Sequence, residues 1–335
     1  MKKWHIAILS GSFGIHAPEA LSMLREIGDI RRVVPRKGIS DEEMASIIGD
    51  AQAVILGASG RITENVLERT PDLRVIARHG VGLDNIDLKA ATKHKVVVTY
   101  TPHANSESVA EHTFAIILAL LRRICEARRA VLSGMWHKRS TFIGAELRGK
   151  VLGIIGLGSI GKRVAEIARL GFNMSVMAYD PYVPEEVARK LGVKLTDLNT
   201  LLESSDIITI HAILSPETHH MIGEKEFKRM KPSAIIVNTA RGGIVDEKAL
   251  VKALRERWIA GAALDVMEEE PPDRGNPLLN MDNVLITPHI AAFTLEALKR
   301  MDMMIVEDIR RIHSGLVPLR VANPEVIPML GLKRS

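Results

Sequence analysis

Hydrophobic positions in this chain fall into short runs that alternate with helical stripes along most of its length. In the first hundred residues the runs His5–Leu9, Ala53–Leu56, Arg74–Arg78 and Val96–Tyr100 are short, apolar and β-branched. Strands buried on both faces of a parallel sheet read this way. Between them, Ala17–Ile27, Asp41–Ile48, Thr63–Arg69 and Asp87–Lys93 carry helical spacing. The alternation resumes at Val151, with runs at Val151–Ile155, Ser175–Tyr179, Ile207–His211, Ala234–Thr239, Gly261–Val266 and Asn283–Thr287. Helical patterns there cover Pro184–Leu191, Thr196–Glu203, Glu224–Met230 and Asp246–Arg255. A long amphipathic helix over Asn105–Arg123 lies between the two series, with Phe114, Ile117 and Leu121 on one side, and suits a linker and hinge. Leu132–Leu147 is irregular. A last helix, Leu295–Ile312, ends near Gly315.

Strands joined by helical crossovers predict an α/β protein with two doubly wound parallel-sheet domains. A length of 335 residues also exceeds one comfortable core. The residues after about 290 are too few for a further domain and are expected to return to the first one. The expected division is therefore 1–100 plus 291–335 around 101–290.

Composition narrows the function classes. Hydrophobic residues make up 46% and the net charge is only +5, so an ordinary core is available and no strong polyelectrolyte partner is implied. Basic residues come as scattered pairs such as Arg31–Arg32 and Arg128–Arg129. A nucleic-acid binder needs a clustered patch on a recognisable module, and neither is seen. No run of eighteen apolar residues suggests a membrane span, and the apolar part of MKKWHIAILSGS is too short for a signal peptide. Cys125 is the single cysteine, reads as core filler, and fits a reducing compartment, so the cytoplasm is expected.

The first chemistry-bearing stretch is KVLGIIGLGSIGKRVAEIARLGFNMSVMAYD, residues 150–180. Gly156, Gly158 and Gly161 follow a strand in the spacing G-x-G-x-x-G and open a helix for which Gly171 offers a stop. Such glycines permit a tight turn, backbone approach to a pyrophosphate, and close packing of helix on strand. The helix start near Ser159 and Ile160 points amides and a positive dipole end at that phosphate. Asp180 ends the second strand, where a carboxylate accepts from both ribose hydroxyls and repels a 2′-phosphate. No Arg or Lys follows it at once, so the expected cofactor is NAD.

Reduction of a 2-oxo acid beside such a cofactor needs a cation for the carboxylate, a proton donor, and a group that aims the donor. Arg241 follows the strand ending at Thr239, Glu270 lies past the strand ending at Val266, and His289 lies past the last strand, after Pro288. All three fall at carboxyl ends of strands, where open α/β sheets bind ligands. A guanidinium fork suits a carboxylate, and a His beside Glu serves as acid or base near neutral pH. Taken singly, each also reads as a surface cation, a solvated acidic loop and a structural histidine. In the first domain, the loop His79-Gly80-Val81-Gly82 follows a strand and either brings amides to a substrate carboxylate or makes a plain tight turn.

GLGSIG, NTARGGIVDEKAL, GAALDVMEEEPP, TPHIAAFT and HGVGLDNID together resemble the D-isomer-specific 2-hydroxyacid dehydrogenase family over nearly the whole chain, most closely its 3-phosphoglycerate dehydrogenase branch. The resemblance implies a Rossmann NAD-binding domain inserted into a flavodoxin-like substrate domain, an active site in the cleft between them, and a homodimer formed through the cofactor domains. It implies Arg241, Glu270 and His289 as catalytic residues. It further implies Asp265 near the nicotinamide carboxamide, Thr239, Ala240, Val81 and His289 as cofactor contacts, and Val81 and Gly82 as amides for the substrate carboxylate, with no metal. The chain departs from the pattern in three places. Ala291, Ala292 and Phe293 stand in the last motif, where Phe293 would change the shape of the cleft. Ala212 stands for a common Thr. Gly57 stands where the branch commonly has an Arg for the substrate phosphate, leaving Arg78 and Arg61 as candidates to compensate. Function is expected to be interconversion of a small 2-oxo acid and its D-2-hydroxy acid, of 3-phosphoglycerate or glyoxylate/hydroxypyruvate type, against an NAD-sensing scaffold as the alternative.

Overall fold

A computed structural model describes residues 3–36 and 38–334. The chain divides into two compact units, residues 1–105 with 293–335, and residues 106–292. Strands in unit 1 are β1 (Trp4–Leu9), β2 (Gly28–Arg32), β3 (Ala53–Leu56), β4 (Val75–Arg78) and β5 (Val97–Thr99). They pair in parallel in the order β2-β1-β3-β4-β5, the flavodoxin-like arrangement. Period-two alternation sends β1 side chains into two cores. Ile6 and Ile8 pack with Leu24, Ile305 and Ile309 on one face, and Ala7 and Leu9 with Met44, Ile48 and Leu67 on the other. The last helix, Leu295–His313, thus covers the first sheet, and Gly315 follows it in the left-handed region at φ 74.

Unit 2 holds β6 (Val151–Ile155), β7 (Ser175–Tyr179), β8 (Lys194–Leu195), β9 (Ile207–Ile210), β10 (Ile235–Asn238), β11 (Gly261–Leu264) and β12 (Val284–Ile286). All pairs are parallel, in the order β12-β11-β10-β9-β6-β7-β8. The order reverses between β6 and β9, the topological switch point where such sheets hold a dinucleotide. Every strand therefore delivers its carboxyl end to one edge, and the loops after β6, β7, β9, β10, β11 and β12 line that edge.

Several local expectations need correction. β2 and β8 carry no strand signal in the sequence because both are edge strands; GDIRR has one large apolar side chain, and β8 has two residues. The second sheet accordingly has seven strands, one more than the pattern indicated. The linker helix is Ser106–Leu121, and the chain then turns at Arg123 (φ 51) into a separate helix, Ile124–Leu132. That helix buries Ala130 alone and leaves Cys125 exposed, so the cysteine is not core filler. The helix after the glycine loop runs through Gly171 to Phe172, and Asn173 (φ 53) caps it, since a short amide side chain also tolerates the left-handed region.

Candidate active site

The glycine loop leaves β6 directly. Gly156 has φ 92, and a Cβ on it would stand 2.6 Å from the Ala212 nitrogen at the end of β9. A Cβ on Gly161 would collide with the Gly156 carbonyl, so the helix Ser159–Phe172 can sit against the strand only without one. Gly158 differs from both, because a Cβ there would meet no protein atom within 4 Å. Its missing side chain serves space outside the protein, at the start of a helix whose first-turn amides have no acceptor within the helix. That is the cradle a pyrophosphate requires, and the residues fit a dinucleotide.

Asp180 sits one strand over, after β7. Its Oδ2 accepts from the Leu157 amide at 2.8 Å and its Oδ1 from the Tyr182 amide at 2.9 Å. Two backbone amides thus fix the carboxylate against the glycine loop, and each oxygen keeps a lone pair for a ribose hydroxyl.

On the other side of the switch point, β10, β11 and β12 present Arg241, Glu270 and His289 at the same sheet edge. His289 Nδ1 lies 2.7 Å from Glu270 Oε2, with the two side chains 40% and 37% exposed. Glu270 Oε1 accepts from the Met267 amide at 3.2 Å, which leaves Oε2 aimed at the ring. A carboxylate on Nδ1 holds the proton there and turns Nε2 outward. His289 itself has φ 54, in the left-handed region that residues other than glycine seldom adopt, and its amide donates to the Asp265 carbonyl at 2.8 Å and the Thr287 carbonyl at 3.0 Å.

Asp265 is the post around which that loop is wound. It is buried; Oδ1 accepts from the Thr287 hydroxyl at 2.6 Å and the Ile290 amide at 2.9 Å, and Oδ2 from the Ala291 amide at 2.8 Å. Burial pushes its carboxyl up, but hydrogen bonds from His112, Thr287 and the two amides outweigh it and hold the group below the ordinary carboxylate range.

Arg241 stands at the turn after β10. Asn238, 1% exposed, staples that turn: its Oδ1 accepts from the Ala240 amide at 3.0 Å and its Nδ2 donates to the Arg241 carbonyl at 2.8 Å. The Arg241 guanidinium donates to the Ala240 carbonyl at 2.7 Å, and a Cβ on Gly242 would collide with the backbone of Met267. Thr239 Oγ1 lies 3.2 Å from Thr113 Oγ1 and 3.5 Å from His211 Nδ1, while His211 Nε2 lies 2.9 Å from Thr209 Oγ1. Burial drives His211 down to about 3, so the ring is neutral. Asn238, His211 and His112 are supporting residues that strand and motif spacing do not single out. Polar residues at strand ends and inside an apolar helix were the available signal, but their partners lie far away in the chain.

Unit 1 carries Val81 and Gly82 in the loop after β4. Arg78 is 8% exposed, and its guanidinium donates to the carbonyls of Leu56 at 3.2 Å, His79 at 2.7 Å and Gly82 at 2.9 Å. Its Nε and Nη1 thus shape this loop. Arg61 is exposed. A Cβ on Gly57 would lie 3.0 Å from Ser10 Cα, so that turn is closely packed.

Among the described residues no helix is long and apolar enough to cross a membrane. Residues 114–291 match the family of the D-isomer specific 2-hydroxyacid dehydrogenase, NAD binding domain. A D-3-phosphoglycerate dehydrogenase of Methanocaldococcus jannaschii is 44% identical over 92% of this chain, which spans only 58% of that relative. A glyoxylate reductase of Aeropyrum pernix is 43% identical over 92% of this chain and 94% of its own length. The crystal structure of a glyoxylate reductase from Paecilomyes thermophila superposes with a TM-score of 0.85 at 29% identity, covering 96% of this chain and 99% of that one. A glycine loop built for a dinucleotide, a seven-stranded sheet reversing beside it, and these matches lead to one conclusion: the chain belongs to the D-isomer specific 2-hydroxyacid dehydrogenase family.

Proposed function

We propose that this protein is an NAD-dependent oxidoreductase that interconverts a small 2-oxo acid and its D-2-hydroxy acid. The observation that carries the proposal is the His289–Glu270 pair, 2.7 Å apart at the strand edge that also bears the dinucleotide loop. When bound, the nicotinamide supplies or accepts the hydride at C2 of the substrate. The chain supplies the rest. Gly156, Gly158, Ser159, Ile160 and Gly161 cradle the pyrophosphate, Asp180 takes the adenosine ribose, and Thr239, Ala240 and Asp265 lie toward the nicotinamide end. Arg241 pairs with the substrate carboxylate. His289 gives its Nε2 proton to the carbonyl oxygen in reduction and recovers it in oxidation, and Glu270 stabilises the charged ring through Nδ1.

The carboxylate of Asp180, with no cation directly after it, supports NAD over NADP. An unphosphorylated acid of the glyoxylate/hydroxypyruvate type is favoured over 3-phosphoglycerate, because Gly57 offers no cation and Arg78 is tied to three carbonyls. A homodimer is supported by exposed apolar side chains in one segment of unit 2, where Val131, Leu132, Trp136 and Ile143 are 51%, 69%, 69% and 83% exposed. The working compartment is the cytoplasm.

The test is NADH consumption, followed by absorbance, over glyoxylate, hydroxypyruvate, pyruvate, phenylpyruvate and phosphohydroxypyruvate, with NADPH in parallel. Turnover of the first two with NADH is expected. A preference for phosphohydroxypyruvate contradicts the substrate assignment, and a preference for NADPH contradicts the role of Asp180. Tight NADH binding without turnover of any acid would make the protein an NAD-binding scaffold.

A further inference from the structure

His112 lies in the middle of the helix Ser106–Leu121, in unit 2. Apolar contacts already fix that helix: Ala110, Phe114, Ile116 and Ile117 are buried in the core beside β6, and Phe114 stacks on Phe172 at 5.0 Å. A histidine is not needed for this packing, and its side chain is only 18% exposed, so taking it from water costs free energy that the apolar contacts do not return.

What the ring touches is the anchor of the His289 loop. His112 Nε2 lies 3.1 Å from Thr287 Oγ1 and 3.4 Å from Asp265 Oδ1. The Thr287 hydroxyl donates its one proton to Asp265 Oδ1 at 2.6 Å. Only the hydroxyl lone pairs and a carboxylate oxygen then remain for His112, and both are acceptors. Nε2 must therefore carry the proton and donate. If Nε2 lost that proton, the Thr287 hydroxyl would have to turn toward it and abandon Asp265. The chain of bonds continues from Asp265 to the amides of Ile290 and Ala291 and, through its carbonyl, to the amide of His289 in its left-handed conformation.

We infer that His112 is a positioning residue for the acid–base histidine: it holds the Thr287–Asp265 anchor that keeps the His289 loop wound and its ring against Glu270. This rests on the reading of His289 as acid/base. It assigns the Asp265 carboxylate a mechanical task within the loop besides any contact with a nicotinamide.

The experiment compares wild type, His112→Ala, His112→Gln and Thr287→Val as full-length proteins. Steady-state kinetics with glyoxylate, NADH affinity by fluorescence, and NMR of protein labelled with ¹⁵N-histidine are measured on each. Loss of the anchor is expected to lower kcat about 10- to 100-fold, the scale of one hydrogen bond to a charged group, with NADH affinity within about twofold. His112→Gln, whose amide can donate toward Thr287, should recover part of the loss. Signals of the His289 ring, assigned with His289→Asn, should shift in His112→Ala and lie nearer wild type in His112→Gln. Thr287→Val keeps the volume and removes the hydroxyl, so it carries the same prediction where His112→Ala does not fold. Unchanged kcat and an unmoved His289 signal overturn the inference, as does a loss of NADH affinity equal to the loss of kcat. An inactive wild type whose His289 signal still moves with His112 would sink the proposed reaction and leave the anchor standing.

Discussion

Replacing Gly158 by alanine separates a residue that shapes the protein from one that shapes the space outside it. The backbone there, φ −72 and ψ −160, is ordinary for any L-residue, and a Cβ meets nothing within 4 Å. Losing glycine's freedom in the unfolded chain stabilises by about 0.4–1 kcal/mol, while alanine is a poorer helix N-cap by a comparable amount. The two effects nearly cancel. The apo melting temperature should stay within about 2 °C, given roughly 2–4 °C per kcal/mol for a unit of this size. Binding is different, because the new methyl stands where a pyrophosphate must approach the backbone. Loss of one charge-assisted amide bond, about 1.5–3 kcal/mol, predicts NADH binding weaker by about 10- to 100-fold. Gly161→Ala is the control: its Cβ would strike the Gly156 carbonyl, so it should lower the apo melting temperature itself, by an overpacking cost of about 1–3 kcal/mol. Thermal melts with and without saturating NADH, with a fluorescence titration, read both quantities. If Gly158→Ala binds NADH within twofold of wild type, or loses several degrees without it, the open side of Gly158 is not a phosphate cradle.

Arg241→Lys keeps the charge and loses the fork; kcat/KM for glyoxylate should fall by about 100-fold or more, with NADH affinity unchanged, and an equal loss of NADH affinity would place Arg241 on the cofactor instead. Asp180→Ala should narrow the preference for NADH over NADPH mainly by weakening NADH, as affinity titrations with both would show; an undiminished preference would remove Asp180 from the ribose site. His211 is held down to about 3 from an ordinary 6.5 by burial, so between those values the unfolded chain binds the extra proton. Stability should therefore fall as pH drops below 6.5, by at most about 1.4 kcal/mol per pH unit and less where water reaches the ring. Urea unfolding from pH 7 to 5 should be less steeply pH-dependent in His211→Asn, and identical slopes would mean that the ring charges freely in the folded state.

The layered α/β fold is legible because buried parallel strands such as Ala53–Leu56 are continuous apolar runs, and both sheets are built largely from such strands. Edge strands escape this logic. β2 keeps a solvated face and reads as polar, and β8 is too short to show a period. Helix ends escape it as well, because Asn173, and not the nearby Gly171, takes the left-handed cap. For the candidate site, the positions of Arg241, Glu270 and His289 after successive strands follow from topology, since parallel strands send all their ends to one edge. What supports them does not follow from spacing. Asn238 staples the Arg241 turn, Asp265 gathers three donors from residues 287–291, and His112 reaches that anchor from a helix more than 150 residues earlier in the chain. The burial of Arg78, and the three backbone carbonyls its Nε and Nη1 reach, are likewise not visible from its place in the chain.

In the proposed reaction His289, held by Glu270, moves the proton. His289→Asn tests it most directly, in NADH-dependent reduction of glyoxylate or hydroxypyruvate measured beside NADH affinity on the same preparation. The expected kcat is lower by about 10²–10⁴-fold, the usual contribution of a positioned acid, with NADH affinity within about twofold of wild type. A variant that keeps its kcat, or that loses NADH binding in proportion, would contradict it.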